Sequence, residues 1–94
     1  MSLASKQEIQ SALTILDGWE YHDGKISKEL TFNSYMEGIE FVNILAVKAE
    51  EVNHHPDLEI SWCRVKVTYT SHDQGGVTQQ CISMAKMVED FLLI

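Results

Sequence analysis

The sequence has little of several features that mark other classes of protein. Of its 94 residues two are cysteines and one is proline, and 14 acidic residues stand against 7 basic ones. Cys63 and Cys81 are too few for a disulfide framework, so we expect reduced thiols. The formal net charge of −7 argues against direct nucleic-acid binding, because contacts to phosphates need a basic surface.

Long apolar runs are also missing. None approaches the roughly 20 residues that span a bilayer. Residues 1–6 lack a basic segment followed by an apolar stretch, so we expect no secretory signal and a cytoplasmic location. With no repeat, linker or low-complexity segment, residues 1–94 are expected to form a single domain around one core.

Three helices are predicted from N-cap residues followed by apolar residues at helical spacing. Ser5 and Ser34 each precede a glutamate by three residues, which is the capping-box pattern. The first helix should cover about residues 6–16, and Thr78 should cap the third. The second and longest helix should end near His54, because the residue before a proline disfavours helical geometry.

Two β-hairpins are predicted between the helices. Alternating apolar residues surround a turn at Asp23-Gly24, and a second alternation turns near Cys63-Arg64. The order of helix, hairpin, helix, hairpin and helix favours an α+β fold, in which one face of a four-stranded antiparallel sheet packs against the helices. Three helices could not cover every apolar strand residue, such as Trp62 or Tyr69, so we expect self-association.

The end of the second helix gathers side chains suited to proton transfer. Glu50 and His54 are four residues apart and should lie on one helix face, so Glu50 would orient His54. His55 should point elsewhere, and the helix dipole would favour a protonated histidine here. His72 follows the second hairpin, which should run back toward this helix end. Imidazoles titrate near neutral pH, which makes this the candidate site.

Other interpretations of the same residues remain open. The histidines could be separate and solvated on the surface. Glu50, His54, His55 and His72 could instead bind zinc, although no two histidines are spaced to lie on one helix face. Trp62 is a core residue by default, because large aromatic side chains are mostly buried.

Six residues form a longer spaced pattern: Glu50, His54, His55, Pro56, Trp62 and His72. This pattern resembles that of the pterin-4a-carbinolamine dehydratases, and the similarity extends over nearly the whole chain from about Gly18. The resemblance implies the same α+β fold and a lyase that needs neither metal nor cofactor. Its substrate would be 4a-hydroxytetrahydrobiopterin, which is dehydrated to quinonoid dihydrobiopterin in tetrahydrobiopterin recycling.

The resemblance also implies roles for individual residues. His54 and His72 would be the acid–base pair, with His55 as a third residue of the catalytic set that mainly holds the pterin. The residues implied in substrate binding are His55, Glu50, Asn53, Pro56 and Trp62. A homotetramer built as a dimer of dimers is implied as well.

Cys81 departs from the family pattern, which usually has an aspartate at this point. As the third helical position after Thr78, it is where an acidic side chain would close a capping box. The aspartate would therefore either cap the helix or tune an active-site histidine. We favour the cap, and so expect Cys81→Asp to stabilise the helix without changing catalysis.

Two further functions remain as alternatives. In animals, members of the family also act as dimerisation cofactors of a homeodomain transcription factor, hepatocyte nuclear factor. The chain could thus be a protein-interaction module, which would have no physical need for three histidines. The other alternative is a zinc-dependent, hydrolase-like site.

Overall fold

The computed structural model describes residues 3–92. Its helices are α1 (Lys6–Ile15), α2 (Tyr35–Val52) and α3 (Gln79–Leu92). Its strands are β1 (Glu20–His22), β2 (Lys25–Thr31), β3 (Asp57–Ser61) and β4 (Arg64–Tyr69). The strands form one antiparallel sheet in the order β1-β2-β4-β3, which confirms the predicted α+β fold. Within the described part of the chain, no helix has the length and apolar character needed to cross a membrane.

The sheet has one apolar face and one polar face. On β4 the buried residues are Val65, Val67 and Tyr69. The residues that alternate with them face the other way: Arg64, Lys66 and Thr68. Helices α2 and α3 both pack against β4 and complete the core with residues such as Leu45 and Val88. Because the outer face is polar, it does not need the apolar cover that the sequence suggested, and Tyr69 is fully buried.

The helix caps follow the sequence closely. Ser5 Oγ accepts a hydrogen bond from the Glu8 amide at 3.1 Å, and Glu8 Oε1 accepts one from the Ser5 amide at 2.8 Å. Ser34 Oγ accepts the Glu37 amide at 3.1 Å, so this serine caps α2 as predicted, but the return bond from the Glu37 side chain that would complete the predicted capping box is not formed. These bonds satisfy amides that have no partner inside the helix, and so they fix where α1 and α2 begin.

Both predicted hairpins form. The turn of the first lies where it was predicted, and the turn of the second lies one residue earlier. The β1–β2 turn lies at Asp23-Gly24, where φ is 52° and 75°, as a type I′ turn requires. The β3–β4 turn consists of Trp62 and Cys63, one residue earlier than expected, and Cys63 has a φ of 59°. Trp62 is 78% exposed in this turn, so the expectation that it is a core residue is wrong.

Helix α2 ends in a left-handed residue. Asn53 has φ 53° and ψ 45°, and the amide of His54 donates to the carbonyl of Ala49 at 3.1 Å. A left-handed residue followed by this hydrogen bond is the Schellman arrangement, which ends a helix and turns the chain away from its axis. His54 therefore lies outside the helix. The predicted helix end was correct to within two residues.

We predict that Asn53→Ala lowers the free energy of unfolding by about 1–2 kcal/mol, because a Cβ without a compensating polar group makes the left-handed conformation costly. Asn53→Gly is the matched control, since glycine adopts this conformation without steric cost, and it should be close to wild type. Urea denaturation of the three proteins measures the effect. Equal stability of the alanine and glycine variants would contradict it.

Candidate active site

A cleft of about 250 Å³ lies beside the end of α2 and the exit of β4. It is lined by Asn53, His54, His55, Thr70, Ser71, His72 and Asp73. The β3–β4 pairing explains why these segments meet. Asp57 pairs with Thr68, so the residues before β3 and those after β4 continue side by side. The structure thus brings the three predicted histidines to one place.

His54 is the most enclosed of the three histidines. Its ring stacks on that of Tyr69, with 5.8 Å between centroids and 8° between planes. Its Nε2 lies 3.4 Å from Cys81 Sγ in the first turn of α3. Burial, and then the charge of His55, hold the pKa of His54 below its ordinary value. At His54, burial and the charge of His55 oppose the protonation that the helix dipole was expected to favour.

His55 is held by the carboxylate that was expected to orient His54. Glu50 Oε2 lies 2.5 Å from His55 Nε2, and both side chains are largely exposed. The left-handed turn at Asn53 removes His54 from helical register, so the i to i+4 relation between Glu50 and His54 does not apply. Glu50 therefore acts on His55 and does not line the cleft itself.

His72 faces a carboxylate from the start of β3. Its Nε2 lies 3.6 Å from Asp57 Oδ2, an ion pair when the imidazole carries a proton. The loop that holds His72 is closed by hydrogen bonds from the Ser71 amide to Gly76 O and from the Gln74 amide to Ser71 Oγ. Sequence reasoning missed Asp57. The register of the second hairpin contained the signal, because it places Asp57 beside the exit of β4.

Three residues of the predicted substrate-binding set do not line this cleft: Glu50, Pro56 and Trp62. Trp62 lies farthest from it. It lies in the turn at the far end of β3, and five residues of strand at about 3.3 Å each separate that turn from the histidines. Asn53 and His55 of the predicted set do line the cleft.

Cys81 and Tyr69 belong to the site, although the sequence pattern favoured a helix cap for position 81 and gave Tyr69 no contact there. Thr78 Oγ1 accepts the amide of Cys81 at 3.4 Å, so Thr78 caps α3 as predicted. The thiol of Cys81 is fully buried and reaches His54, so the interpretation of this position as a helix cap alone is wrong. Tyr69 presents its ring to His54, and its buried hydroxyl has no hydrogen-bond partner among residues 3–92.

The arrangement of the histidines also bears on the zinc interpretation. Among the residues that the structure describes, no three side chains of histidine, cysteine, aspartate or glutamate are grouped so that they could hold a metal ion. His55 is engaged with Glu50, and His72 faces Asp57. The arrangement pairs individual imidazoles with individual partners, which suits proton transfer.

Comparison with known proteins identifies the family. A family model described as pterin 4 alpha carbinolamine dehydratase matches residues 2–91. A Nostoc punctiforme protein is 42% identical over 86 residues, and a Mycobacterium avium protein is 38% identical over 86 residues. Each match covers 92% of both chains, and each relative is named as a candidate pterin-4-alpha-carbinolamine dehydratase. The chain therefore belongs to the pterin-4a-carbinolamine dehydratase family, as its pattern predicted.

Solved structures agree with this assignment. A Brucella melitensis protein described as a transcriptional coactivator/pterin dehydratase is 31% identical, with a TM-score of 0.90 over 95% of this chain and 97% of that one. A pterin dehydratase-like protein described as a RuBisCO assembly factor in the alpha-carboxysome is 22% identical, with a TM-score of 0.62 over 77% and 83%. The second similarity shows the fold alone.

The low pKa of His54 predicts a pH dependence of stability. The unfolded chain protonates this imidazole near its ordinary value of 6.5, and the folded protein does so only at lower pH. Between those values the unfolded state binds more protons, so stability is lost as the pH falls below 6.5.

We therefore expect the free energy of unfolding of wild type to fall more steeply between pH 7 and pH 5 than that of His54→Gln. His22→Gln removes an exposed histidine of β1 that is outside the cleft, and it should keep the wild-type slope. Denaturation curves across this pH range measure the slopes. Equal slopes for wild type and His54→Gln would show that folding does not perturb His54.

Proposed function

We propose that this protein dehydrates 4a-hydroxytetrahydrobiopterin to quinonoid dihydrobiopterin and water, in the cytoplasm, as part of tetrahydrobiopterin recycling. The observation that supports this most is the meeting of His54, His55 and His72 around one cleft, in a chain that belongs to the dehydratase family. Dehydration of a carbinolamine needs two proton transfers at neighbouring atoms, and imidazoles suit both.

The chemistry divides between a base and an acid. As the carbon–oxygen bond breaks, the hydroxyl receives a proton and leaves as water. The neighbouring ring nitrogen loses its proton, and its electron pair forms the new carbon–nitrogen double bond. His54 suits the base, because burial keeps it uncharged near neutral pH. His72 suits the acid, because the carboxylate of Asp57 is placed to pair with its protonated form.

His55 suits substrate binding better than proton transfer. Its Nε2 is occupied by Glu50, which limits this nitrogen's part in a reaction and fixes the direction of the ring. The cleft in one chain is small compared with the roughly 300–1,000 Å³ of most small-molecule sites, so a flat pterin would be only partly enclosed.

We predict that His54→Ala and His72→Ala each lower kcat by about 10²-fold or more, because each removes one proton-transfer group. Some activity should remain, since water and the other imidazole can replace part of the function. His55→Ala should mainly raise KM. His22→Ala is the control and should match wild type.

Stopped-flow kinetics with a synthetic carbinolamine measure these parameters. Unchanged kcat in both His54→Ala and His72→Ala would contradict the assignment of the acid–base pair. A change in kcat alone for His55→Ala, with KM unaltered, would contradict its binding role.

Self-association is the second part of the proposal, as a tetramer built from two dimers. The polar outer face of the sheet gives it no support. The better argument is the outer side of α2, where Met36 is 60% exposed, Ile44 55% and Val47 63%. Apolar side chains grouped on one helix favour contact with another protein surface, and a second copy of this chain is the simplest occupant.

We expect sedimentation at micromolar concentration to give a mass well above the 10.7 kDa of one chain. Ile44→Glu should lower that mass by placing a charge in the contact. Ile15→Glu is the matched control, because it makes the same change at an exposed position of α1. A wild-type monomer would contradict self-association, and dissociation of the control alone would contradict the role of α2.

The same surface of α2 supports a second candidate function, that of a protein-interaction module. The Brucella melitensis neighbour is described both as a coactivator and as a pterin dehydratase. An interaction module would use exposed apolar residues such as Val47 and would not depend on the histidine cleft. Normal partner binding by His54→Ala together with loss of dehydration would show that the two functions are separate.

A further inference from the structure

The thiol of Cys81 contacts His54, the proposed catalytic base, from the protein interior. Its Sγ lies 3.4 Å from His54 Nε2, and the residue is 0% exposed. Among residues 3–92 this thiol is the one hydrogen-bond partner of the His54 ring. Cys81 does not line the cleft, so it can act on a substrate only through His54.

The geometry around Cys81 bears on which nitrogen of His54 carries the proton. Thr78 Oγ1 accepts the Cys81 amide at 3.4 Å and donates its own hydrogen to Sγ at 3.5 Å. The sulfur accepts this hydrogen bond and has a second lone pair that can accept another. Because Nε2 faces Cys81, Nδ1 is the ring nitrogen left for a substrate, and it can take up a proton only when Nε2 holds the ring's own proton.

We propose that Cys81 is a positioning residue whose sulfur accepts a hydrogen bond from His54 Nε2–H, which leaves Nδ1 unprotonated and free to act as the base. The statement about catalysis rests on the proposed function. The contact between Sγ and Nε2 does not. Stacking on Tyr69 also helps to orient His54, because it fixes the plane of the imidazole ring while Cys81 fixes the rotation of the ring within that plane.

The kind of side chain at position 81 matters as much as its position. The titratable groups around His54 on the elements packed against it and across the cleft are Cys81, Tyr69, His55, His72 and Asp73. Burial raises the pKa of Tyr69, so its hydroxyl is uncharged near neutral pH. The charge of His55 opposes a second charge on His54. A neutral acceptor at position 81 orients the imidazole without stabilising its protonated form as strongly as a carboxylate would.

Nitrogen-15 NMR of the histidine side chains tests the tautomer directly. In wild type at neutral pH we expect His54 Nε2 to be protonated, Nδ1 to be unprotonated, and the Nε2 proton to exchange slowly with water. Cys81→Ala should speed that exchange at least tenfold, and Cys81→Ser should largely restore it. Cys63→Ala, a change at the other cysteine, should have no effect. A wild-type His54 protonated at Nδ1, or slow exchange in Cys81→Ala, would overturn the proposal.

Cys81→Asp tests the importance of a neutral partner. A carboxylate can accept the same hydrogen bond but stabilises the imidazolium, so the pKa of His54 should rise by about one unit or more. The acid limb of the kcat/KM profile should move up in pH with it. A pKa of His54 that is unchanged in Cys81→Asp would contradict the claim that an uncharged side chain at position 81 keeps the imidazolium from being stabilised. If that variant does not fold, the alanine and serine variants still decide the hydrogen bond.

The role of Cys81 and the proposed function can be tested separately. A wild-type protein that shows the NMR behaviour but does not dehydrate the carbinolamine supports the role of Cys81 on His54 and contradicts the proposed function. A protein that dehydrates the substrate, with His54 protonated at Nδ1, supports the function and contradicts the role of Cys81. In an active protein, Cys81→Ala should lower kcat about tenfold or more with little change in KM, because a misdirected base slows proton transfer more than binding.

Discussion

The left-handed turn at Asn53 is the constraint on which the site depends. It ends α2 and takes the next residue out of helical register, so that His54 turns inward while His55 stays near the surface. The inward ring meets Tyr69 of β4 and Cys81 of α3. One backbone conformation thus joins a helix end, a strand and a second helix around a single imidazole. Two adjacent histidines acquire different environments, and therefore different chemical uses.

Much of this could be predicted from the sequence, because it depends on local rules. N-cap residues and the spacing of apolar side chains marked the three helices, and alternation marked the two hairpins. The meeting of His54 and His72 was also predictable. A hairpin returns the chain to the place from which it started, so residues before β3 and after β4 must be neighbours.

The pairing of side chains within the site could not be predicted in the same way. The assignment of Glu50 to His54 assumed that the helix continues through the motif. The left-handed residue Asn53 ends the helix before His54, so Glu50 contacts His55 instead. Trp62 was placed in the site by a resemblance in spacing, but the strand carries it to the opposite end of the hairpin. The contact of Cys81 with His54 depends on how the start of α3 lies beside the end of α2, which no local pattern encodes.

The central claim is that the histidine cleft dehydrates a pterin carbinolamine by acid–base catalysis. Stopped-flow measurement of carbinolamine dehydration by the purified wild-type protein, with and without a chelator, tests it most directly. The account predicts a clear acceleration over the uncatalysed reaction at neutral pH, with the same rate in the presence of the chelator. A rate equal to that of buffer alone, or a rate that the chelator abolishes, would contradict it.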